Sequence, residues 1–187
     1  MRATPGHGLL VLFFALPACA WAGATAEDYS EYLDDLYRDT VPVVIPDEVE
    51  SYLDQTPGTL LLDVRSNPER EVSFIEGSEF YDFDTFQIDR FLSLPRDTPV
   101  LAYCAVGYRS ERVGEMFIEA GFTNVRHVYG GIIEWQNSGL TLEHGEVEVR
   151  AEPADGVAFD GPPVHGHSPR WGKYVMDGNV VYEPPAE

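Results

Sequence analysis

Four apolar runs, separated by segments of helical pattern, most constrain what this chain can fold into. The runs cover residues 59–64, 80–83, 99–103 and 125–129. The first is apolar almost throughout, as expected of a strand that is covered on both faces. Segments of helical pattern stand between or beside the runs, at 46–53, 86–92, 111–120 and 132–135. This alternation predicts an α/β fold with a small parallel sheet flanked by helices on both faces.

The region with this alternation spans residues 41–145, and a shorter segment precedes it. Residues 23–40 carry apolar side chains at intervals of three and four, which predicts a leading amphipathic helix. These side chains are Tyr29, Tyr32, Leu33, Leu36 and Tyr37. We expect this stripe to pack on the domain, with binding to a partner as the alternative.

Residues 146–187 predict an extended tail with a hairpin. Residues 146–150 alternate like an edge strand, and residues 152–169 are rich in Pro, Gly and His without periodicity. Residues 174–182 place an Asp-Gly turn between two short apolar runs, which is typical of a β-hairpin. A lone hairpin is marginal in water, so we expect this one to dock on its own domain or on an exported partner.

The first 22 residues have the pattern of a secretory signal peptide. Arg2 precedes an apolar run at 9–16, which is followed by small-x-small sites that end at Ala22. We therefore expect a periplasmic or secreted protein. The alternative is a lipid anchor through Cys19, because Leu16-Pro17-Ala18-Cys19 resembles a bacterial lipobox. No other segment is long and apolar enough to predict a membrane span.

The charge balance bears on the partners. With 32 acidic and 12 basic residues, the formal net charge is −20. A field of this sign repels phosphate backbones, so we expect no nucleic acid partner.

Cys104 stands at the position where chemistry is expected. It follows the run 99–103 and precedes the helix 111–120, so it lies at the carboxyl end of a parallel strand, where such sheets bind ligands. We expect Ser110 to cap that helix. Backbone N–H groups and a helix N-terminus favour the thiolate over the thiol, which predicts a nucleophilic cysteine. The alternative is a small core residue, but a core cysteine does not need the Gly107, Arg109 and Ser110 that follow.

The segment Cys104-Ala105-Val106-Gly107-Tyr108-Arg109-Ser110 resembles the Cys-x-x-Gly-x-Arg-Ser loop of single-domain rhodaneses. The segment Leu61-Leu62-Asp63-Val64-Arg65 is similar to the first-strand signature of that family. The segment from Asn124 through Gly130-Gly131 and Trp135 to Gly139 resembles its closing part. The resemblance covers residues 41–142. At 74–78 this chain has Phe-Ile-Glu-Gly-Ser where the family often has His-Ile-Pro-Gly-Ala.

The resemblance implies a rhodanese-like fold and a sulfurtransferase that needs no cofactor and no metal. Cys104 would take a sulfane sulfur from a small anion such as thiosulfate, hold it as a persulfide, and pass it to a thiol or to cyanide. Arg109 would hold the anionic donor, and Asp63 and Arg65 would support the loop or form a structural ion pair. The terminal sulfur would be bound by the amides of the loop residues Ala105, Val106, Gly107, Tyr108 and Ser110.

Three other interpretations remain open. The chain is alternatively a sulfur carrier or binding module that does not turn over and serves an exported partner through its tail. A thiolate phosphatase is a minor alternative, because tyrosine phosphatases place five residues between Cys and Arg and this loop has four. His165 and His167 have no further ligands nearby in the sequence, which indicates a surface loop rather than a metal site.

Overall fold

The computed structural model of the protein describes residues 24–145, 163–176 and 180–181. In chain order the helices and strands are α1 (Ala26–Leu36), β1 (Val43–Val44), α2 (Pro46–Gln55), β2 (Leu60–Asp63), α3 (Asn67–Val72), β3 (Ser73–Phe74), β4 (Glu79–Phe80), β5 (Val100–Tyr103), α4 (Tyr108–Glu119), β6 (Val125–Val128), α5 (Gly131–Asn137), β7 (Glu143–His144), β8 (Val164–His165), α6 (Pro169–Gly172) and β9 (Val180–Val181). None of the described helices is long and apolar enough to cross a membrane.

A five-stranded parallel sheet forms the centre, with the strand order β1-β6-β5-β2-β4. Two smaller pairs lie apart from it: β3 with β7, antiparallel, and β8 with β9, parallel. Since the four residues of β5 are buried, the centre of the sheet is covered on both faces. The predicted α/β fold with a flanked parallel sheet is confirmed.

Successive residues of the central strands supply two separate hydrophobic cores. Leu61, Leu101 and Tyr103 belong to the core that receives α1, α2 and α5. Leu62 and Ala102 belong to the opposite core, which receives α4. Because neighbouring strand residues point to opposite faces, each strand stabilises both layers.

The segment between β4 and β5 differs from the prediction. The strand expected at 80–83 is the two-residue β4, and the helix expected at 86–92 is replaced by two 3₁₀ turns, Phe83–Thr85 and Ile88–Phe91. The aromatic rings that enter the core here follow a spacing of five residues, which does not put them on one face of an α-helix. They are Tyr81, Phe86 and Phe91, and the last two contact Phe117 of α4.

The leading helix packs on the domain, as the stripe predicted. Thr25 and Asp28 form a capping box at its start, and Tyr29 and Leu33 are buried. The Tyr29 hydroxyl donates to the carbonyl of Gly130 at 2.7 Å, across 101 residues of chain. The alternative, a stripe left open for a partner, is wrong for Tyr29 and Leu33.

The hairpin prediction is wrong. Val180–Val181 pairs with Val164–His165 in parallel, while Tyr174 lies just after α6 and belongs to no strand. The physical reason is that α1 offers the Tyr174 ring a better site: it stacks on Tyr29 and Tyr32 at 4.8 and 5.1 Å between centroids. The predicted signal peptide, the edge strand at 146–150 and the Asp-Gly turn lie outside the described residues.

Candidate active site

The loop that carries Cys104 is fixed between β5 and the start of α5. The amides of Ile132 and Ile133 donate to the carbonyls of Cys104 and Ala105 at 2.9 and 3.2 Å. Gly131 lies so close to these carbonyls that an added Cβ would collide with both. The first turn of α5 therefore sets the path of the loop.

Helix α4 begins three residues earlier than predicted. Gly107 is its N-cap, with a left-handed φ of 99°, and the helix starts at Tyr108. Ser110 lies inside the first turn, and its hydroxyl donates to the Gly107 carbonyl at 3.0 Å. The assignment of Ser110 as N-cap is therefore wrong, because the positive φ of glycine turns the chain into the helix sooner.

The Cys104 thiol is fully buried, and polar groups of the loop contact it. The Gly107 amide donates to Sγ at 3.1 Å, and the Ser110 hydroxyl lies 3.8 Å away. Burial among apolar side chains is what a core cysteine would show, whereas a backbone donor aimed at the sulfur is not needed for one. For Ala105, Val106 and Tyr108, amide contact with a transferred sulfur remains a prediction.

Arg109 is held by a residue that the sequence reasoning did not identify. Its two terminal nitrogens donate to the two oxygens of Glu69 at 2.8 and 2.6 Å, and the Glu69 side chain is fully buried. The Nε of Arg109 has no hydrogen-bond partner among the described residues. A signal for Glu69 existed, since Ser66-Asn67-Pro68-Glu69 has the capping-box pattern, and its carboxylate does bind the amide and hydroxyl of Ser66.

The ionisation of this pair follows from its contacts. Burial raises the pKa of the Glu69 carboxyl, but hydrogen bonds from His167 and Arg109 outweigh burial and hold that pKa well below its usual range. Burial lowers the pKa of Arg109, but the bonds to Glu69 and the nearby Cys104 raise it above its ordinary value. Both groups are therefore charged in the folded protein.

Asp63 and Arg65 form a buried ion pair beside the loop, at 2.7 Å between Oδ2 and Nη2. Arg65 also donates to the carbonyl of Ser73 at 2.6 Å, and Asp63 accepts from the Tyr103 hydroxyl at 2.8 Å. Because Tyr103 directly precedes Cys104, this pair anchors the end of β5. Within the described part of the chain, neither Asp63 nor Arg65 hydrogen-bonds to the Cys104 sulfur, and the pair acts on the loop through Tyr103 at the end of the strand.

Arg70 closes the segment 74–78, where the sequence departs from the pattern that it otherwise resembles. Its guanidinium lies 3.6 Å from the centroid of the Phe74 ring and donates to the Ser78 carbonyl at 3.0 Å. The Ser78 hydroxyl donates to the carbonyl of Ile75 at 2.6 Å. A cation and a hydroxyl thus hold this turn.

Both flanks of the domain reach the site. The Tyr37 hydroxyl donates to the Val106 carbonyl at 2.8 Å and accepts from the Gly130 amide at 2.9 Å. From the tail, Nδ1 of His167 lies 3.5 Å from Oε2 of Glu69. His165 is buried, which corrects its assignment to a surface loop, whereas His167 is 41% exposed. The described residues contain no cluster of metal-binding side chains.

About half of this chain is similar in sequence to curated bacterial proteins. Among curated relatives, the tRNA uridine(34) hydroxylase of Photorhabdus laumondii is 35% identical over 94 residues, covering 48% of this chain and 26% of that protein. The Yersinia pestis protein of the same name is 35% identical over 107 residues, covering 52% and 30%. The chain thus spans less than a third of the length of these relatives.

Solved structures show the same fold. The rhodanese-like domain of an Anabaena protein superimposes with a TM-score of 0.50 at 22% identity, covering 63% of this chain and 92% of that one. Thiosulfate sulfurtransferase from Pseudomonas aeruginosa gives 0.52 at 24% identity, covering 63% and 23%. The model of the Rhodanese-like domain matches residues 45–138, which include Cys104, Arg109 and Glu69. Because this model matches half of the chain, the protein belongs to the rhodanese-like domain family.

Proposed function

We propose that the protein is a sulfurtransferase that moves a sulfane sulfur through a persulfide on Cys104. The observation that carries the proposal is the amide of Gly107, which donates to the Cys104 sulfur at 3.1 Å at the start of α4. A helix N-terminus and a buried cation, Arg109, lie next to that sulfur. Both stabilise negative charge, so they favour the anionic terminal sulfur of a persulfide.

The reaction balances without an external oxidant or reductant. The Cys104 thiolate attacks the outer sulfur of a donor such as thiosulfate, the S–S bond of the donor breaks, and sulfite leaves with its electron pair. A thiolate or cyanide then attacks the terminal sulfur of the persulfide. The electron pair of that S–S bond returns to Cys104, and the enzyme is regenerated.

Fixed backbone donors supply the stabilisation of charge in this scheme. The amide of Gly107 is oriented by the positive φ of its own residue and by the helix that follows. In the best-studied hydrolase, one such preorganised donor is worth about 2.7–4 kcal/mol in the transition state. A comparable contribution is proposed here for negative charge on the transferred sulfur.

The full burial of Cys104 supports a second candidate, a sulfur carrier that turns over slowly alone and serves a protein partner. Tyr37, which lies outside the matched domain, also holds the loop through the Val106 carbonyl, and we propose that a docked protein partner rather than a free small acceptor takes the sulfur. The phosphatase alternative has less support, because four residues separate Cys104 from Arg109, whereas tyrosine phosphatases have five.

Hydroxylation of tRNA, named for the curated relatives, is not carried over to this chain. The match covers 26% of the first relative, and the formal net charge of −20 opposes binding of RNA.

Intact-mass measurement after exposure to thiosulfate tests the proposal. Wild-type protein is expected to gain the mass of one sulfur atom, and the Cys104→Ser variant is expected to gain none. Steady-state turnover with cyanide or a thiol then separates enzyme from carrier, because a carrier loads once and turns over poorly. Absence of the mass gain with thiosulfate and with a persulfide donor would contradict both candidates.

Export is proposed on the sequence of residues 1–22. Expression of the full chain in a bacterium, fractionation, and mass spectrometry of the N-terminus provide the test. A mature protein in the periplasm that begins at residue 21 or 23 supports a cleaved signal, an acylated N-terminal Cys19 supports the lipid anchor, and an intact cytoplasmic chain contradicts export.

A further inference from the structure

His167 reaches the site from the tail, outside the part of the chain that the family model matches. The tail is attached firmly at this point: Val164 is buried, and the Ser73 hydroxyl donates to the carbonyl of Pro163 at 2.7 Å. The Trp171 indole donates to the Tyr32 hydroxyl at 2.6 Å, which ties the tail to α1.

The imidazole of His167 is held in a defined position. It stacks on Trp171 with 4.4 Å between ring centroids, and its backbone amide donates to Nδ1 of His165 at 3.0 Å. The φ of His167 is +56°, in the left-handed region that residues other than glycine seldom adopt. Uncommon backbone conformations of this kind concentrate at functional sites, which directs attention to what the ring faces.

The ring faces the carboxylate that holds Arg109. Nδ1 of His167 lies 3.5 Å from Oε2 of Glu69, and the same oxygen accepts from Nη1 of Arg109 at 2.8 Å. Imidazole and guanidinium therefore share one oxygen of a buried carboxylate. When His167 is neutral, Glu69 and Arg109 compensate each other; when it is protonated, the three groups together carry one positive charge.

We propose that His167 is a positioning residue that acts through Glu69 on Arg109 and thereby sets how strongly the site holds an anionic sulfur donor. This inference rests on the proposed sulfurtransferase function. A protonated His167 attracts the shared oxygen of Glu69, weakens its grip on Arg109 and leaves net positive charge for the donor. A neutral His167 leaves Arg109 fully engaged, and the donor binds less tightly.

Other charged and titratable groups also surround this cluster. Those that face it are Glu69 from α3, Arg109 and Cys104 from the loop and α4, Arg65 from the end of β2, and His165 from β8. Glu69, Arg109 and Arg65 keep their charges across neutral pH, because the pKa of Glu69 is lowered and those of both arginines are raised. Substitution of Cys104 removes the thiol from the measurement, so the test is carried out in that background.

The test is the affinity for thiosulfate as a function of pH, measured by calorimetry on the full chain carrying Cys104→Ser. Thiosulfate stays a dianion across the range in which imidazoles titrate, about pH 5 to 8. We expect the dissociation constant to rise by at least about fivefold from the acidic to the alkaline end, within the usual size of coupling between sites. In the double variant with His167→Asn, the dissociation constant should be nearly independent of pH. Asparagine is chosen because it tolerates the left-handed φ of this position.

His144→Asn is the matched control, because His144 is exposed and pairs with Ser73 rather than with Glu69. It should leave the pH dependence unchanged. The inference is overturned if the thiosulfate affinity of the Cys104→Ser protein does not change with pH, or if it changes equally after His167→Asn. It is also overturned if His144→Asn removes the pH dependence, because another group would then be its source.

A second measurement needs no substitution at His167. By reciprocity, thiosulfate must raise the pH at which the His167 imidazole protonates, which NMR of the Cys104→Ser protein detects. An unchanged titration of His167 with bound thiosulfate overturns the inference. If the wild-type protein still gains a sulfur atom from thiosulfate, only the inference about His167 is refuted and the proposed function is retained. If the wild-type protein gains no sulfur, the proposed function itself is refuted.

Discussion

Replacement of Tyr37 by phenylalanine tests whether the leading helix stabilises the active-site loop. The change removes one oxygen, which donates to the Val106 carbonyl at 2.8 Å and accepts from the Gly130 amide at 2.9 Å. Each lost hydrogen bond costs about 1 kcal/mol, so the variant should be less stable by about 2 kcal/mol. In a chain of this size such a loss lowers Tm by about 4–8 °C.

Two assays check this magnitude. Thermal unfolding followed by circular dichroism gives the change in Tm, and reaction of Cys104 with a thiol reagent reports opening of the loop around a buried sulfur. If the lost energy acts on local opening, 2 kcal/mol raises the rate of reaction about 30-fold, since 1.4 kcal/mol is a factor of ten.

The control is Tyr129→Phe, which removes an exposed hydroxyl that donates to Ser30 at 3.3 Å. Its effect on both readouts should be close to zero. Equal behaviour of the two variants would refute the reasoning that Tyr37 fixes the loop. A lower Tm in Tyr37→Phe without faster thiol reaction would show that the helix stabilises the domain but not the loop.

Three further predictions follow from other contacts. Glu69→Gln leaves Arg109 buried without its counter-ion and should lower the free energy of unfolding by about 3–5 kcal/mol in urea titrations; a loss below 1 kcal/mol would contradict the buried pair. Gly107→Ala places a Cβ against Tyr37 at a φ of 99°, so intact-mass analysis should show loss of sulfur loading, and unchanged loading would contradict the tight turn. Burial lowers the pKa of His127 from 6.5 to about 4, so the neutral form stabilises the fold above pH 6.5 and this contribution is lost as the pH falls toward 4. Wild type should therefore lose about 2 kcal/mol between pH 7 and 5 through this group, and His127→Gln should lack that part of the slope.

The sequence predicted the centre of the sheet and the position of Cys104 well, for a local reason. Strands β2, β5 and β6 are short apolar runs bounded by turn residues, and the loop from Cys104 to Ser110 is continuous in sequence. Short apolar runs of this kind are typical of strands that are buried on both faces. The local pattern was therefore sufficient to predict these strands and the position of Cys104, without information on distant contacts.

The rest of the site depends on contacts across long separations, which a local pattern does not contain. Glu69 meets Arg109 across 40 residues, and Tyr37 meets Val106 across 69. His167 approaches Glu69 from a tail in which no periodicity is visible. The hairpin prediction failed for the same reason, because Tyr174 stacks on Tyr29 of α1, which lies far from it in the sequence.

The aromatic contacts between the first helix and the tail also order events during synthesis. The bond from Trp171 to Tyr32 joins residues 139 positions apart, so it forms only after residue 171 has left the ribosome. Long-range closures of this kind are the slow steps of folding. A chain truncated before residue 171 lacks this bond, and His167 contacts Glu69 from the same late segment, so the surroundings of Arg109 are completed only after the Cys104 loop has been synthesised.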